Sequence, residues 1–244
     1  MKYPIGIQTF DKIIEGGYSY VDKTALVYKM AHYAQNLFLS RPRRFGKSLL
    51  VSTLQAYFEG RKDLFKGLAI EKMEQEWEVY PVIHIDMSRG KYYQLKNLHA
   101  ILNGILSNYE DLYHVGTLSE NSDVYSERLA NIIAAACQQT GKQVVVLIDE
   151  YDAPMHDSMN DEKLQNQIRN VLRDFFSPLK QQDANLRFVF ITGISKFSQL
   201  SIFSELNNLK ILTMKNEYTT ICGFTEEEIL KKLYGRHRSL CRGK

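Results

Sequence analysis

The sequence predicts an α/β fold built on a central parallel sheet with helices on both sides. Three observations predict it. Val144-Val145-Val146-Leu147-Ile148 is an unbroken aliphatic run, and a strand without polar alternation is buried on both faces, as parallel sheets require. Asn36 to Ser40 (NLFLS) and Arg187 to Thr192 (RFVFIT) have strand length and end in polar residues. Between such runs lie segments of helical periodicity, so strands and helices alternate along the chain.

Composition agrees with one large α/β domain. The chain has 244 residues, 44% hydrophobic and 24% charged, which is ordinary for a folded protein with a sizeable core. With only five prolines, a long disordered linker is not expected. The net charge of +3 is too small to argue for nucleic acid by itself, although Arg236, Arg238, Arg242 and Lys244 crowd the end. Cys137, Cys222 and Cys241 are far apart, odd in number and never C-x-x-C. That speaks against a disulfide framework or a structural zinc site, and a cytoplasmic setting fits best. No run has the length of a signal peptide core or a membrane span. The histidines show no metal-ligand spacing, and no Ser-His-Asp order emerges.

In chain order, Asp22 is placed to cap a helix over Lys23 to Asn36. Tyr18, Tyr20 and Val21 before it either line a nucleobase pocket or simply pack. The strand Asn36 to Ser40 leads to a helix over Lys47 to Phe58, with Leu49, Leu50, Leu54 and Tyr57 in register and Gly60 as its stop. Pro81 to Met87 reads as the next strand. Helices follow near Leu95 to Tyr109 and Tyr125 to Gln139, then the aliphatic strand ending at Asp149-Glu150. Asp161 to Lys180 reads as one amphipathic helix with Leu164, Ile168, Val171, Leu172, Phe175 and Phe176 inward. Its Arg169 and Arg173 share a face, either as a solvated face or as arginine fingers toward a neighbouring subunit. After Arg187 to Gly193, Phe197 to Leu209 reads as loop then helix, and Lys210 to Met214 as a last strand. Thr225 and Glu228 form a capping-box pattern at a final helix start.

Two motifs carry chemistry. Gly46-Lys47-Ser48 ends the phosphate-binding signature G-x-x-x-x-G-K-[ST]. A strand brings the backbone to a turn of inward N–H groups, and the following helix points its positive end at the phosphates. Arg41-Pro42-Arg43-Arg44-Phe45-Gly46-Lys47-Ser48-Leu49 is therefore the candidate nucleotide-binding segment. Lys47 supplies a point charge for the terminal phosphates, and Ser48 a hydroxyl for Mg²⁺. The signature's first glycine is replaced by Arg41, which makes this a variant loop. The competing reading is a helix N-terminus carrying a chance Gly-Lys-Ser.

The second motif is the pair of carboxylates closing the aliphatic strand, the Walker B pattern. Asp149 is the candidate metal residue beside Ser48, and Glu150 the candidate general base. Alone, such an ending also suits a solvated acidic turn. Asp152 reads as a cap or supporting partner. Thr192 or Ser195 is a candidate sensor that orients the attacking water, and Lys196 a phosphate contact; each also reads as a simple strand exit.

The chain resembles the bacterial predicted AAA-ATPase-like proteins. The resemblance rests on YVDKT (Tyr20 to Thr24), FLSRPRRFGKSLL (Phe38 to Leu50), LIDEYDAP (Leu147 to Pro154), RFVFITGISKFS (Arg187 to Ser198), LNNL (Leu206 to Leu209) and YTTICGFTEEE (Tyr218 to Glu228). RPRRFGKS, arginine included, is similar to that family's own loop. The resemblance implies a three-layer P-loop NTPase core of the additional-strand, AAA-like type, with about five parallel strands ordered 5-1-4-3-2. Residues 1–224 would be that core with its lead-in, and 225–244 the start of a truncated helical lid. Relatives usually continue into a PD-(D/E)XK nuclease-like domain, which this chain stops before, so nucleic acid would be a partner of that missing domain.

The function expected is Mg²⁺-dependent ATP binding and hydrolysis that drives or gates an attached effector, with Glu150, Lys47 and Thr192 as the catalytic set. The alternative is a nucleotide-responsive switch with negligible hydrolysis. A third reading puts nucleic acid on Arg41, Arg43, Arg44 and the tail. ATP is preferred over GTP because no N-K-x-D occurs.

Overall fold

The computed structural model describes residues 2–116, 124–195, 202, 203, 206 and 208–234. Five strands form one sheet in which every neighbouring pair is parallel: β1 (Asn36–Ser40), β2 (Val82–Asp86), β3 (Val144–Asp149), β4 (Leu186–Gly193) and β5 (Lys210–Ile211). Their order is β2-β3-β4-β1-β5, the expected 5-1-4-3-2 order read from the other edge. It is the α/β arrangement of a P-loop NTPase-like fold.

Side-chain alternation on the strands makes three layers. Phe38, Ile83, Ile85, Val144, Val146, Ile148, Val189 and Ile191 face one core. Helices α4 (Leu95–Leu112), α5 (Tyr125–Thr140) and α7 (Glu162–Phe176) close it with Leu98, Leu102, Ile132, Ile168 and Leu172. Leu37, Leu39, Val145, Leu147, Phe188 and Phe190 face the other core. There α1 (Phe10–Glu15), α2 (Thr24–Ala31) and α3 (Lys47–Phe58) pack with Phe10, Val27, Met30, Leu50 and Leu54. Each fully buried Leu, Ile or Phe contributes about 1.5–3 kcal/mol, so both faces of β3 are committed to packing and its chemistry is confined to its C-terminal end.

The local signals act as expected in several places. The Asp22 carboxylate accepts from the Thr24 N–H at 2.8 Å and also from the Ala69 N–H at 2.7 Å, tying α2 to the turn at 69–72. Asp161 caps α7 through the Leu164 N–H. Thr225 and Glu228 bond reciprocally at 2.8 and 3.2 Å, opening α9 (Glu226–Tyr234).

Several expectations are corrected or fall outside the described residues. The lead-in helix ends at Ala31, not Asn36, because Asn36 already pairs with Val189 in the sheet. The helix expected over Asp161 to Lys180 breaks at Ser177, and a short α8 (Pro178–Gln181) follows; Pro178 cannot donate into the preceding turn. Between β3 and α7 lies a further short helix, α6 (Ala153–Asp157). The last strand is two residues long, since the Thr213 hydroxyl takes the Ser40 N–H that a longer β5 would engage. Most of 197–209 and all of 235–244, with the basic tail and Cys241, lie outside the described residues.

Candidate functional site

Three strands of the sheet deliver their C-terminal ends to one rim. β1 exits into the turn Arg41–Gly46, and α3 begins at Lys47 with Gly46 as its cap. Gly46 has φ 87°, a left-handed conformation that side chains rarely adopt. A Cβ there would meet nothing within 4 Å, so φ, rather than crowding by protein, is what demands glycine. The first N–H groups of α3, from Lys47 to Leu49, have no carbonyl one turn back inside the helix. They present an anion-binding end toward the turn.

Lys47 lies at the centre of the rim. Its side chain is 3% exposed, and Nζ donates to the carbonyls of Arg41 at 3.0 Å and Pro42 at 3.1 Å. Glu150 Oε1, from the end of β3, pairs with the same nitrogen at 3.0 Å. An ammonium has three donors, and all three are used. Glu150 has φ 50°. That is uncommon for a residue with a side chain, and such strain is retained where surroundings over-determine it.

Asp149 is 3% exposed. Burial pushes its carboxyl up to about 6; the nearby Ser48 hydroxyl and Lys47 oppose that, and the Glu150 and Asp86 carboxylates add to it. Asp86 stands beside it in the β2–β3 register. Asp149 Oδ1 is buried without a hydrogen-bond partner among the described residues, although a buried polar atom normally has one. A hard divalent cation accepts hydroxyl and carboxylate oxygen, so Ser48 and the orphaned Oδ1 fit one. Among the described residues no group of three His, Cys, Asp or Glu converges as a metal site.

The end of β4 lies between the two motifs. The Gly193 carbonyl accepts from the Arg41 N–H at 3.1 Å, and the Thr192 carbonyl from the Tyr151 N–H at 3.2 Å. A Cβ on Gly193 would sit 2.5 Å from Asp152 Oδ1 and 2.6 Å from the Tyr151 ring. Only glycine allows that approach. Asp152 is fully buried and accepts from the N–H groups of Ile194 and Ser195, and His156 Nε2 lies 3.2 Å from it. Tyr151 donates its hydroxyl to the Ser195 carbonyl at 2.5 Å. Asp152 thus holds the loop that leaves β4.

The rim gathers Lys47, Ser48, Asp149 and Glu150 and does not gather every residue singled out by sequence. Thr192 is fully buried, and its hydroxyl donates to the Leu39 carbonyl at 2.8 Å, inside the sheet. Ser195 lies in the anchored loop, and Lys196 falls outside the described residues. Pro42, Arg43, Arg44 and Phe45 are exposed. The Arg41 guanidinium turns to carbonyls of Ser40, Thr213 and Tyr218. On α7, Arg173 is exposed and half-buried Arg169 donates to Asn166. Tyr20, in the lead-in, packs edge-on against Phe10. Sequence reasoning missed segment 212–223, which lies against the loop; the recurring YTTICGFTEEE motif was its only signal.

A family described as predicted AAA-ATPase matches residues 4–203. This chain belongs to the predicted AAA-ATPase family. An Azotobacter chroococcum mcd 1 protein, described as an uncharacterized protein in the vnfD 5' region, is similar to this AAA-ATPase-like chain. The two are 39% identical over 230 residues, 93% of this chain and 44% of the relative. The chain therefore spans less than half the length of that curated relative. Family membership supports a nucleotide-binding, NTPase-like core. No helix among the described residues is long and apolar enough to cross a membrane.

Proposed function

We propose that this chain binds ATP with Mg²⁺ at the rim between Lys47 and Asp149-Glu150, and hydrolyses it. The observation that carries the reading is one constellation: Lys47 on Glu150 at 3.0 Å, beside Ser48 and a buried Asp149 whose Oδ1 has no hydrogen-bond partner among the described residues. Residues from the start of α3 and the end of β3 make it, as phosphoryl transfer requires.

In this reading the N–H groups of Gly46 to Leu49 hold the phosphates, and Lys47 leaves Glu150 to neutralise the terminal ones. Ser48 and Asp149 would hold Mg²⁺, which when bound screens the phosphate oxygens. The freed Glu150 carboxylate takes a proton from water, whose oxygen bonds to the γ-phosphorus. The bond to the bridging oxygen breaks, leaving ADP and phosphate. Asp152 keeps the Ile194–Ser195 turn in place nearby, which favours Ser195 over Thr192 as sensor. Residues 1–224 act as the core and 225–244 as the start of a lid. A reducing cytoplasm suits the free thiols of Cys137 and Cys222. Hydrolysis then drives or gates an effector elsewhere in a longer protein, where nucleic acid is a candidate partner.

A second reading is favoured by the same ion pair. With the candidate base bound to the loop cation, nucleotide can act as a switch ligand with negligible turnover. Phosphate release from ATP separates the two. The ATPase reading expects release that requires Mg²⁺ and stops with EDTA. Binding without release favours the switch, and neither binding nor release excludes both.

A further inference from the structure

The loop departs from the general signature at Arg41, and the side chains of Arg41 and Phe45 both run to the same segment. Arg41 Nη2 donates to the Tyr218 carbonyl at 3.0 Å. Its Nη1 donates to the carbonyls of Ser40 at 3.0 Å and Thr213 at 3.4 Å. Phe45 lies over the backbone of Gly223, where an added Cβ would be 3.3 Å from the ring. Thr213 reaches back with its hydroxyl to the Ser40 N–H at 2.9 Å. The connector 212–223 therefore grips the loop at its first turn and near its last.

The contacts continue on both sides. The Arg41 carbonyl is one of the two backbone acceptors of Lys47 Nζ, so the clamped residue also holds the cation meant for phosphate. Beyond the connector, Glu228 of α9 pairs with Lys23 of the lead-in. The guanidinium is matched here to neutral carbonyls, which fix its plane through several N–H donors without cancelling its charge. A lysine, a point charge on a flexible stem, does not reproduce that fork.

We propose that Arg41 is a positioning residue: with Phe45 it couples phosphate occupancy of the loop to the 212–223 connector and through it to α9. The coupling rests on the nucleotide reading above. When phosphate draws Lys47 off the Arg41 carbonyl, the turn shifts, and the clamp carries that shift to Thr213 and Tyr218. The arginine does in this loop what a glycine cannot.

The test uses the whole chain, with Mg-ATP as probe and amide hydrogen exchange as the main readout. In the unsubstituted protein, saturating Mg-ATP should slow exchange at Lys215, Tyr218 and Ile221, whose N–H groups close the connector's turns, by about tenfold or more. Arg41→Gly restores the signature glycine, yet it should raise the Kd by about tenfold or more and abolish the connector's response at saturation. Arg41→Lys should recover affinity without recovering the response, which separates charge from clamp. Tight binding by Arg41→Gly, or a connector indifferent to bound nucleotide in the unsubstituted protein, overturns the coupling alone. Failure of the unsubstituted protein to bind Mg-ATP overturns the nucleotide reading and the coupling together. If Arg41→Gly does not fold, Phe45→Ala on an exposed side chain replaces it: it should weaken the connector's response, and an intact response overturns the coupling.

Discussion

Glu150→Gln is expected to keep Mg-ATP binding and lose about 10²–10⁴-fold in turnover, the contribution of a positioned general base. The substitution is mild on the fold. Glu150 is only partly buried, and its main contact is Lys47 Nζ at 3.0 Å. The amide oxygen of glutamine still accepts from that ammonium, so Lys47 is not left buried without a partner. What disappears is the carboxylate proposed to take the proton of the attacking water. Because the charge attraction holding Lys47 is also lost, nucleotide affinity should stay level or rise. Phosphate release under single-turnover conditions checks the first part and calorimetry the second. Turnover within threefold of the unsubstituted rate would remove Glu150 from the role of base.

The second large effect is on stability. Burial lifts the Asp149 carboxyl to about 6, above its ordinary value of about 3.9. Below about pH 4 folded and unfolded chains both keep the proton. Between about pH 4 and 6 the folded chain holds a proton that the unfolded chain releases, so this group makes stability fall as pH rises. Above about pH 6 the penalty is complete, about 3 kcal/mol at about 1.4 kcal/mol per unit. Asp149→Asn removes the buried charge at nearly the same volume. The nucleotide-free variant should therefore be more stable than the parent at pH 7.5, by up to about 3 kcal/mol. Its stability should also be flatter between about pH 4 and 6, and it should lose any Mg²⁺ requirement for nucleotide binding. Denaturant unfolding across pH gives the answer. A variant less stable than the parent at pH 7.5 would mean that Asp149 is held ionised by contacts that outweigh its burial.

Much of this architecture was legible because packing and periodicity coincide. Val144 to Ile148 has no polar position, so it had to be central, and it is flanked on both sides in the sheet. The meeting of Lys47 with Glu150 followed from two local motifs at strand ends, since a parallel sheet puts all such ends on one rim. Local propensity failed where tertiary contacts decided. Thr213 ended β5 by giving its hydroxyl to Ser40, which no pattern within Lys210 to Met214 signals. Thr192 looked like a polar strand end, but its hydroxyl is spent on Leu39 across the β1–β4 pair. Arg41 falls in the segment expected to hold the nucleotide, whereas its guanidinium lies on carbonyls from a segment far along the chain. Such long-range acceptors are backbone groups, identical at every residue, and so leave no mark in composition.

A nucleotide site at the rim joining Lys47 to Asp149 and Glu150 is tested most directly by calorimetric titration of Mg-ATP into the unsubstituted chain and into Lys47→Ala. One site per chain is predicted, with affinity falling by about a hundredfold or more, about 2.7 kcal/mol, in the variant. Equal affinity in the two proteins would contradict it, and so would the absence of binding in both.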